Sequence, residues 1–188
     1  AGPIGWVAGM KGIPLVIQEQ NSFPGITNRL LAKFASRIFT AFKEADRFFP
    51  SEKTKITGNP TRATLKEADK TKALEYFGFD DEKPVLLVMG GSGGAKTINE
   101  AMKANVQTLH NQIGLQIIWQ CGPRYFDELS TEIDEKKLDN LRLVAYLDNM
   151  AEAYAAADLV ISRAGASSCS ELMLTGKPSI LVPSPNVA

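Results

Sequence analysis

The sequence predicts an α/β protein built on doubly wound parallel sheets, and three observations carry that prediction. Strand-like and helix-like segments alternate along most of the 188 residues. One segment, Val85-Leu86-Leu87-Val88-Met89, is apolar at every position, as a strand covered on both faces must be. Small residues fill the turns between two strands and the helices after them, around 90–94 and 164–168.

Taken in order, Ile13-Pro14-Leu15-Val16-Ile17 reads as a short buried strand. A helix is predicted over 24–35, with Ile26, Leu30, Leu31 and Phe34 on one stripe. Strands follow at 36–42 and 55–57, and Gly58-Asn59-Pro60 breaks the chain. Residues 64–77 read as one charged amphipathic helix stopped by Gly78. A second block opens at Pro84. Its predicted strands are 85–89, 115–120, 141–145, 159–161 and 178–182. Its predicted helices are 95–110, 125–137, 150–157 and 165–174. The break at Gly58-Asn59-Pro60 divides the chain into lobes near residue 63, giving 1–63 and 64–188. The first lobe has about three strands and starts abruptly at Ala1-Gly2-Pro3. The chain stops in a loop-like stretch over 183–188, so a piece of a longer protein is expected.

Composition removes several classes. A 44% apolar and 22% charged chain is globular and long enough to bury a core. Lys plus Arg and Asp plus Glu are both 21, so no nucleic-acid partner held by bulk positive charge is expected. One histidine, His110, and two distant cysteines, Cys121 and Cys169, exclude a usual zinc cluster and make a disulfide scaffold a poor reading. His110, near a helix end, reads as a surface residue favouring the dipole, and Cys169 as a small buried residue. The uncharged opening ends at Lys11, too short to span a bilayer, and no basic stretch precedes it. The expected location is cytoplasmic, with a peripheral membrane role open.

Four segments are candidates for chemistry. Gly90-Gly91-Ser92-Gly93-Gly94 joins a buried strand to a helix; free N–H groups at the helix start suit a phosphate, and Ser92 adds a hydroxyl donor. The bland alternative is a tight turn without a ligand. It is neither a Walker A loop nor a strict Gly-x-Gly-x-x-Gly. Ser162-Arg163-Ala164-Gly165-Ala166-Ser167-Ser168-Cys169-Ser170-Glu171 repeats the pattern. Glu171 can accept two hydrogen bonds from a ribose diol; equally, Ser167 or Ser168 can cap the helix with Glu171 completing a capping box. Two such turns in one sheet favour a nucleotide. Gln18-Glu19-Gln20-Asn21 ends the first strand, where α/β ligands bind, or is a solvated loop. Arg62, between the lobes, either reaches a phosphate or sits in a plain turn. No Asp-x-Asp occurs, the pair with which metal-dependent sugar-nucleotide enzymes commonly hold their ion, so no metal is expected; no cofactor is assigned.

Together these segments resemble the MurG family of peptidoglycan glycosyltransferases. The family's His-Glu-Gln-Asn is similar to Gln18-Glu19-Gln20-Asn21, and its Pro-Gly-Leu-Thr-Asn to Pro24-Gly25-Ile26-Thr27-Asn28. Its Gly-Asn-Pro-x-Arg is Gly58-Asn59-Pro60-Thr61-Arg62. Its Gly-Gly-Ser-Gln-Gly-Ala resembles Gly90 to Ala95, with Gly93 in the glutamine position. Its Arg-x-Gly-Ala-x-Thr-x-Ser-Glu resembles Arg163 to Glu171, with Ser168 in the threonine position.

The resemblance implies a GT-B architecture of two Rossmann-like lobes. It implies a donor, UDP-N-acetylglucosamine, and an acceptor, polyprenyl-linked lipid I, at the cytoplasmic face of the inner membrane. The donor contacts it implies are Asn21, Arg62, Ser92, Leu147, Ala166, Ser167, Ser168, Cys169, Ser170 and Glu171, with Tyr146 flanking the base and Glu171 on the ribose. Trp6, Val7, Met10 and Lys11 are candidates for the membrane patch; a buried helix explains them equally well. The family's Gly-x-Gly-Gly-His loop and its Gln-Gln pair have no counterpart in this chain, so the fragment by itself is not expected to be competent. No catalytic base is assigned, and Glu19 is the one carboxylate offered. Two other classes stay open: an NAD-type oxidoreductase, against which 112–119 lacks the acidic residue such a fold needs, and a non-catalytic nucleotide-sugar lobe of a split transferase.

Overall fold

A computed structural model describes residues 2–136 and 138–184. The end of the expected 125–137 helix at Lys137, the opening Ala1, and the loop-like stretch from 185 onward lie outside the described residues. Packing divides the chain into two compact units, Ala1–Pro60 and Thr61–Ala188. Sequence had placed the division near 63, and Arg62 falls in the second unit.

The first unit opens with helix α1 (Gly2–Met10), which the sequence reading did not assign. Strand β1 (Leu15–Glu19), helix α2 (Ile26–Leu31), strand β2 (Ala35–Thr40), a short helix α3 (Lys43–Asp46) and strand β3 (Thr54–Ile56) follow. The strands form a parallel sheet in the order β1-β2-β3. Ile17, Leu31, Ala35, Ile38, Ala45 and Phe49 make its core. Helix α1 approaches α2 through glycines: a Cβ at Gly5 would stand 2.7 Å from Leu31, and one at Gly9 2.5 Å from Phe34.

Helix α2 is shorter than expected. Leu31 is buried, but Ile26 is 72% and Leu30 52% exposed. The predicted apolar stripe is therefore split, because only one edge of so short a helix touches the sheet. On α1, Ile4, Trp6, Val7 and Met10 are all exposed, so among the described residues it is not a buried helix.

In the second unit the expected 64–77 helix is two pieces. A 3-10 turn covers Ala63–Lys66, and helix α4 begins afresh at Lys70–Phe77. Asp69 divides them: its carboxylate accepts from the Lys72 N–H at 3.1 Å, an N-cap that starts a helix and cannot sit inside one. Gly78, at φ 65°, ends α4 in the left-handed cap.

The remaining elements alternate regularly: β4 (Val85–Met89), α5 (Lys96–Asn111), β5 (Gln116–Gln120), α6 (Pro123–Lys136), β6 (Leu141–Val144), α7 (Met150–Ala156), β7 (Leu159–Arg163), α8 (Ala166–Thr175) and β8 (Ser179–Val182). All four strand pairings are parallel, in the order β6-β5-β4-β7-β8. This is a doubly wound sheet, as the alternation predicts. Helices cover both faces, and β4 splits between them. Val85, Leu87 and Met89 pack toward α4, α7 and α8, while Leu86 and Val88 pack toward α5 and α6. That explains the unbroken apolar run.

The chain winds outward from β4 through β5 to β6, then returns to place β7 on the other side of β4. The β4–β7 pair is therefore the topological switch point, whose carboxyl ends open a crevice. Asp158 clamps the opposite end of this pair. Its carboxylate accepts from the Val85 N–H at 2.9 Å and from Lys70 Nζ at 2.5 Å. Burial alone would raise the Asp158 carboxyl, but these two bonds outweigh it and hold it below its ordinary value.

Candidate functional site

At the switch point lies a cleft of about 260 Å³, lined by Arg62, Met89, Gly91, Ser92, Gln120, Tyr146, Leu147, Met150, Ser167, Ser168 and Glu171. All belong to the second unit. The carboxyl ends of β4 and β5, the turns after β4 and β6, the first turn of α7, the first two turns of α8 and the segment at Arg62 supply them.

The β4–α5 turn is shaped by backbone crowding. Gly91 and Gly94 have φ of 83° and 75°, which L side chains resist. A Cβ on Gly94 would lie 1.9 Å from the Cys121 carbonyl oxygen, and one on Gly90 2.3 Å from the Ala95 nitrogen. Gly122, from the β5–α6 turn, meets the same loop: its Cβ would stand 2.5 Å from Gly93 O and Gly94 N. Gly93 itself faces open space.

Buried polar side chains hold the two turns together. Trp119 Nε1 donates to Asn99 Oδ1 at 3.1 Å, and Asn99 Nδ2 donates to the Cys121 carbonyl at 2.9 Å. Gln120 Nε2 donates to the carbonyls of Gly91 at 3.0 Å and Ala145 at 3.2 Å. Gln120 thus ties two walls of the cleft, a role that sequence reading missed. The available signal was a glutamine closing an otherwise apolar strand at its carboxyl end.

The helix starts that follow the two small-residue turns are open. Neither α5, beginning after Ala95, nor α8, beginning after Gly165, has a side-chain cap, whereas α4 has Asp69. Their first-turn N–H groups keep the partial positive charge that attracts anions. The capping-box reading of 167–171 does not hold. Ser167 and Ser168 line the cleft, and Glu171 turns inward to accept a hydrogen bond from the Tyr154 hydroxyl at 3.0 Å. Burial first, and then the Glu171 carboxylate, push the Tyr154 phenol far above its usual value, so it stays a donor at any working pH.

Of the residues singled out from sequence, Arg62, Ser92, Leu147, Ser167, Ser168 and Glu171, with Tyr146, line this one cleft. Ala166, Cys169 and Ser170 do not. They lie on the same helix, where Ser170 Oγ donates to the Ala166 carbonyl at 2.9 Å. Cys169 is half-buried rather than fully buried. Met89 and Met150 also line the cleft and were not anticipated, since each reads as plain core. His110 is half-buried at the end of α5, its Nδ1 2.8 Å from Asn111 Oδ1.

Asn21 and Glu19 belong to the first unit. Glu19 is 2% exposed, and its carboxylate accepts from the Asn21 N–H at 3.0 Å, Asn21 Nδ2 at 3.1 Å, Gly25 N–H at 3.2 Å and Asn28 Nδ2 at 2.9 Å. Burial would raise its carboxyl, but those bonds prevail and hold it below the usual range. A carboxylate so saturated organises the loop after β1. Its lone pairs are spent on bonds to the chain, so it is a poor proton acceptor, against the candidacy the sequence gave it.

The fold and the site together define a class: doubly wound α/β domains with a cleft at the switch point, rimmed by small-residue turns. Comparison narrows that class. The family model of the glycosyltransferase family 28 C-terminal domain matches residues 85–188, more than half of the chain, and the chain belongs to that family.

Among curated relatives, the UDP-N-acetylglucosamine--N-acetylmuramyl-(pentapeptide) pyrophosphoryl-undecaprenol N-acetylglucosamine transferases of Salinibacter ruber and Parabacteroides distasonis are each 48% identical. Both match 100% of this chain, against 50% and 51% of their own length. The crystal structure of Acinetobacter baumannii MurG is similar with a TM-score of 0.67 at 31% identity, over 100% of this chain and 51% of that one. A Neisseria meningitidis UDP-GlcNAc 2-epimerase, solved with UDP-GlcNAc, has a TM-score of 0.64 over 94% of this chain and 55% of its own. At 15% identity that likeness speaks for the fold. The chain spans about half the length of the curated relatives it matches.

Proposed function

We propose that this chain forms the donor-binding part of an inverting glycosyltransferase of peptidoglycan synthesis. The donor is UDP-N-acetylglucosamine, and the acceptor is the N-acetylmuramoyl-pentapeptide carried on a polyprenyl diphosphate. The observation that carries the reading is the cleft at the β4–β7 switch point, where Ser92, Ser167, Ser168, Arg62 and Glu171 converge beside the uncapped start of α8 and the turn that leads into the uncapped α5.

The chemistry follows from those groups. The acceptor 4-hydroxyl attacks the anomeric carbon and gives its proton to a base, while the bond from that carbon to the diphosphate oxygen breaks and UDP leaves with growing negative charge. The N–H groups opening α5 and α8, the Ser92 hydroxyl and the Arg62 guanidinium are donors for that charge. Glu171 takes the ribose hydroxyls, and the Tyr146–Leu147 segment borders the base. For the lipid-linked acceptor the site of action is the cytoplasmic face of the inner membrane, with Trp6, Val7 and Met10 of α1 and the adjoining Lys11 as the surface it meets. Among the described residues no helix is long and apolar enough to cross a membrane.

Titration calorimetry with UDP, UDP-N-acetylglucosamine, ADP and NAD tests the reading. The uridine ligands are expected to bind and the purine ligands not to. Binding of NAD or ADP in preference to UDP overturns it.

A further inference from the structure

We infer that Tyr154 is a positioning residue for nucleotide binding, its buried hydroxyl setting the Glu171 carboxylate in the orientation that grips the ribose. The inference rests on reading Glu171 as the ribose contact and adds the group that holds it in place.

Tyr154 lies on α7 and has no exposed surface. Its ring belongs to the core between α4, α7, α8 and the sheet, among Leu87, Met89, Leu147 and Leu172. Phenylalanine would fill such a place equally well and without a polar atom to desolvate, so packing does not account for the hydroxyl. Among the described residues its oxygen partner is Glu171 Oε2, 3.0 Å away, and its other neighbour is the weakly accepting Met89 Sδ at 4.0 Å. Glu171 reaches the cleft from the second turn of α8. A free glutamate there would sample several rotamers and lose that freedom on binding. The phenol fixes one oxygen, and each carboxylate oxygen can accept two bonds. Acceptor positions for a vicinal diol therefore remain, already aimed. Tyr154 and Glu171 are 17 residues apart and on different helices, so the pair exists only because α7 and α8 flank the same strand.

The test uses the protein expressed from the longest open reading frame containing this chain, with UDP and 2′,3′-dideoxy-UDP as paired probes. Tyr154→Phe keeps the ring, and its thermal midpoint is read alongside to confirm folding. The expected result is a rise in the UDP dissociation constant of about 5- to 10-fold, with dideoxy-UDP changed less than about 2-fold. In a Glu171→Ala background, where the phenol has no acceptor to position, the same change should add no more than about 2-fold. Equal weakening of both probes by Tyr154→Phe, or of neither, overturns the positioning role. The ribose reading fails separately, and takes this inference with it, if Glu171→Ala weakens the two probes equally. If Glu171→Ala discriminates between them and Tyr154→Phe does not, only the inference falls.

Discussion

The two strand-to-helix junctions of the second unit look alike in sequence and are held by different physics. The β4–α5 junction is a backbone device. Gly91 and Gly94 sit at positive φ, Gly94 and Gly122 pack so closely that a methyl would overlap main-chain atoms, and Asn99 and Gln120 pin the carbonyls around them. The β7–α8 junction has no such crowding. Gly165 has φ −77°, and a Cβ there would meet only Ser168 Oγ at 3.9 Å. What is fixed at β7–α8 is a side chain, Glu171, held by Tyr154. Small residues after a strand thus need not share one cause. At the first junction they make room for the protein's own backbone; at the second no such crowding calls for them.

The largest expected effect breaks the first junction. Gly94→Ala places a methyl against the Cys121 carbonyl at a φ alanine resists, and should cost ~3 kcal/mol or more of stability in urea unfolding. An unchanged midpoint would remove backbone crowding as its cause. Next comes function at the second junction. Glu171→Ala should raise the UDP dissociation constant by roughly 10- to 50-fold, as loss of hydrogen bonds to a charged group implies, and should lower the thermal midpoint by a few degrees, because the buried Tyr154 hydroxyl loses its acceptor. An unchanged constant in calorimetry would separate Glu171 from the nucleotide.

A third test concerns the clamp at the far end of the same strands. The carboxyls of Asp158 and Glu19 are held below their ordinary values. The stability they contribute is present above the unfolded carboxylate range, around pH 4, and is lost as pH falls through their folded values. Thermal midpoints should therefore drop between about pH 4.5 and 3, and Asp158→Asn should flatten part of that drop. A pH profile identical to that of the unaltered chain would argue against the clamp.

The smallest effect sharpens the contrast. Gly93→Ala should change stability by less than about 0.5 kcal/mol, since the position has neither a positive φ nor a crowding neighbour, and Gly165→Ala should cost about 0.5–1 kcal/mol, only what alanine loses to glycine at the α8 N-cap. A loss from either as large as that from Gly94→Ala would erase the distinction between the junctions.

Much of the second unit was legible because β4 is buried on both faces and its neighbours alternate with helices of ordinary length. The first unit was harder to read. Helix α1 is uncharged and glycine-rich and gives no amphipathic period, since it docks on α2 through Gly5 and Gly9 rather than through large apolar residues. The joined 64–77 helix failed for a local reason: Asp69 acts as a cap, and a capping aspartate in a charged stretch resembles any other acidic residue. At the site, Ser92 and Glu171 could be read from the small-residue turns. Gln120, Met89 and Tyr154 could not, because each presents the pattern of an ordinary strand or core residue.

By itself, then, the sequence determined the alternation of elements, the doubly wound class, and the places where a strand ends in residues too small to fill space. Local periodicity and turn chemistry carry that information, and they act within a few residues. The tertiary structure decided that β7 returns to lie beside β4, and with that which side chains share a cleft, which glycines serve the backbone, and that a buried phenol meets Glu171. These pairings join residues far apart along the chain, and only the order of strands in the sheet brings them within reach of one another.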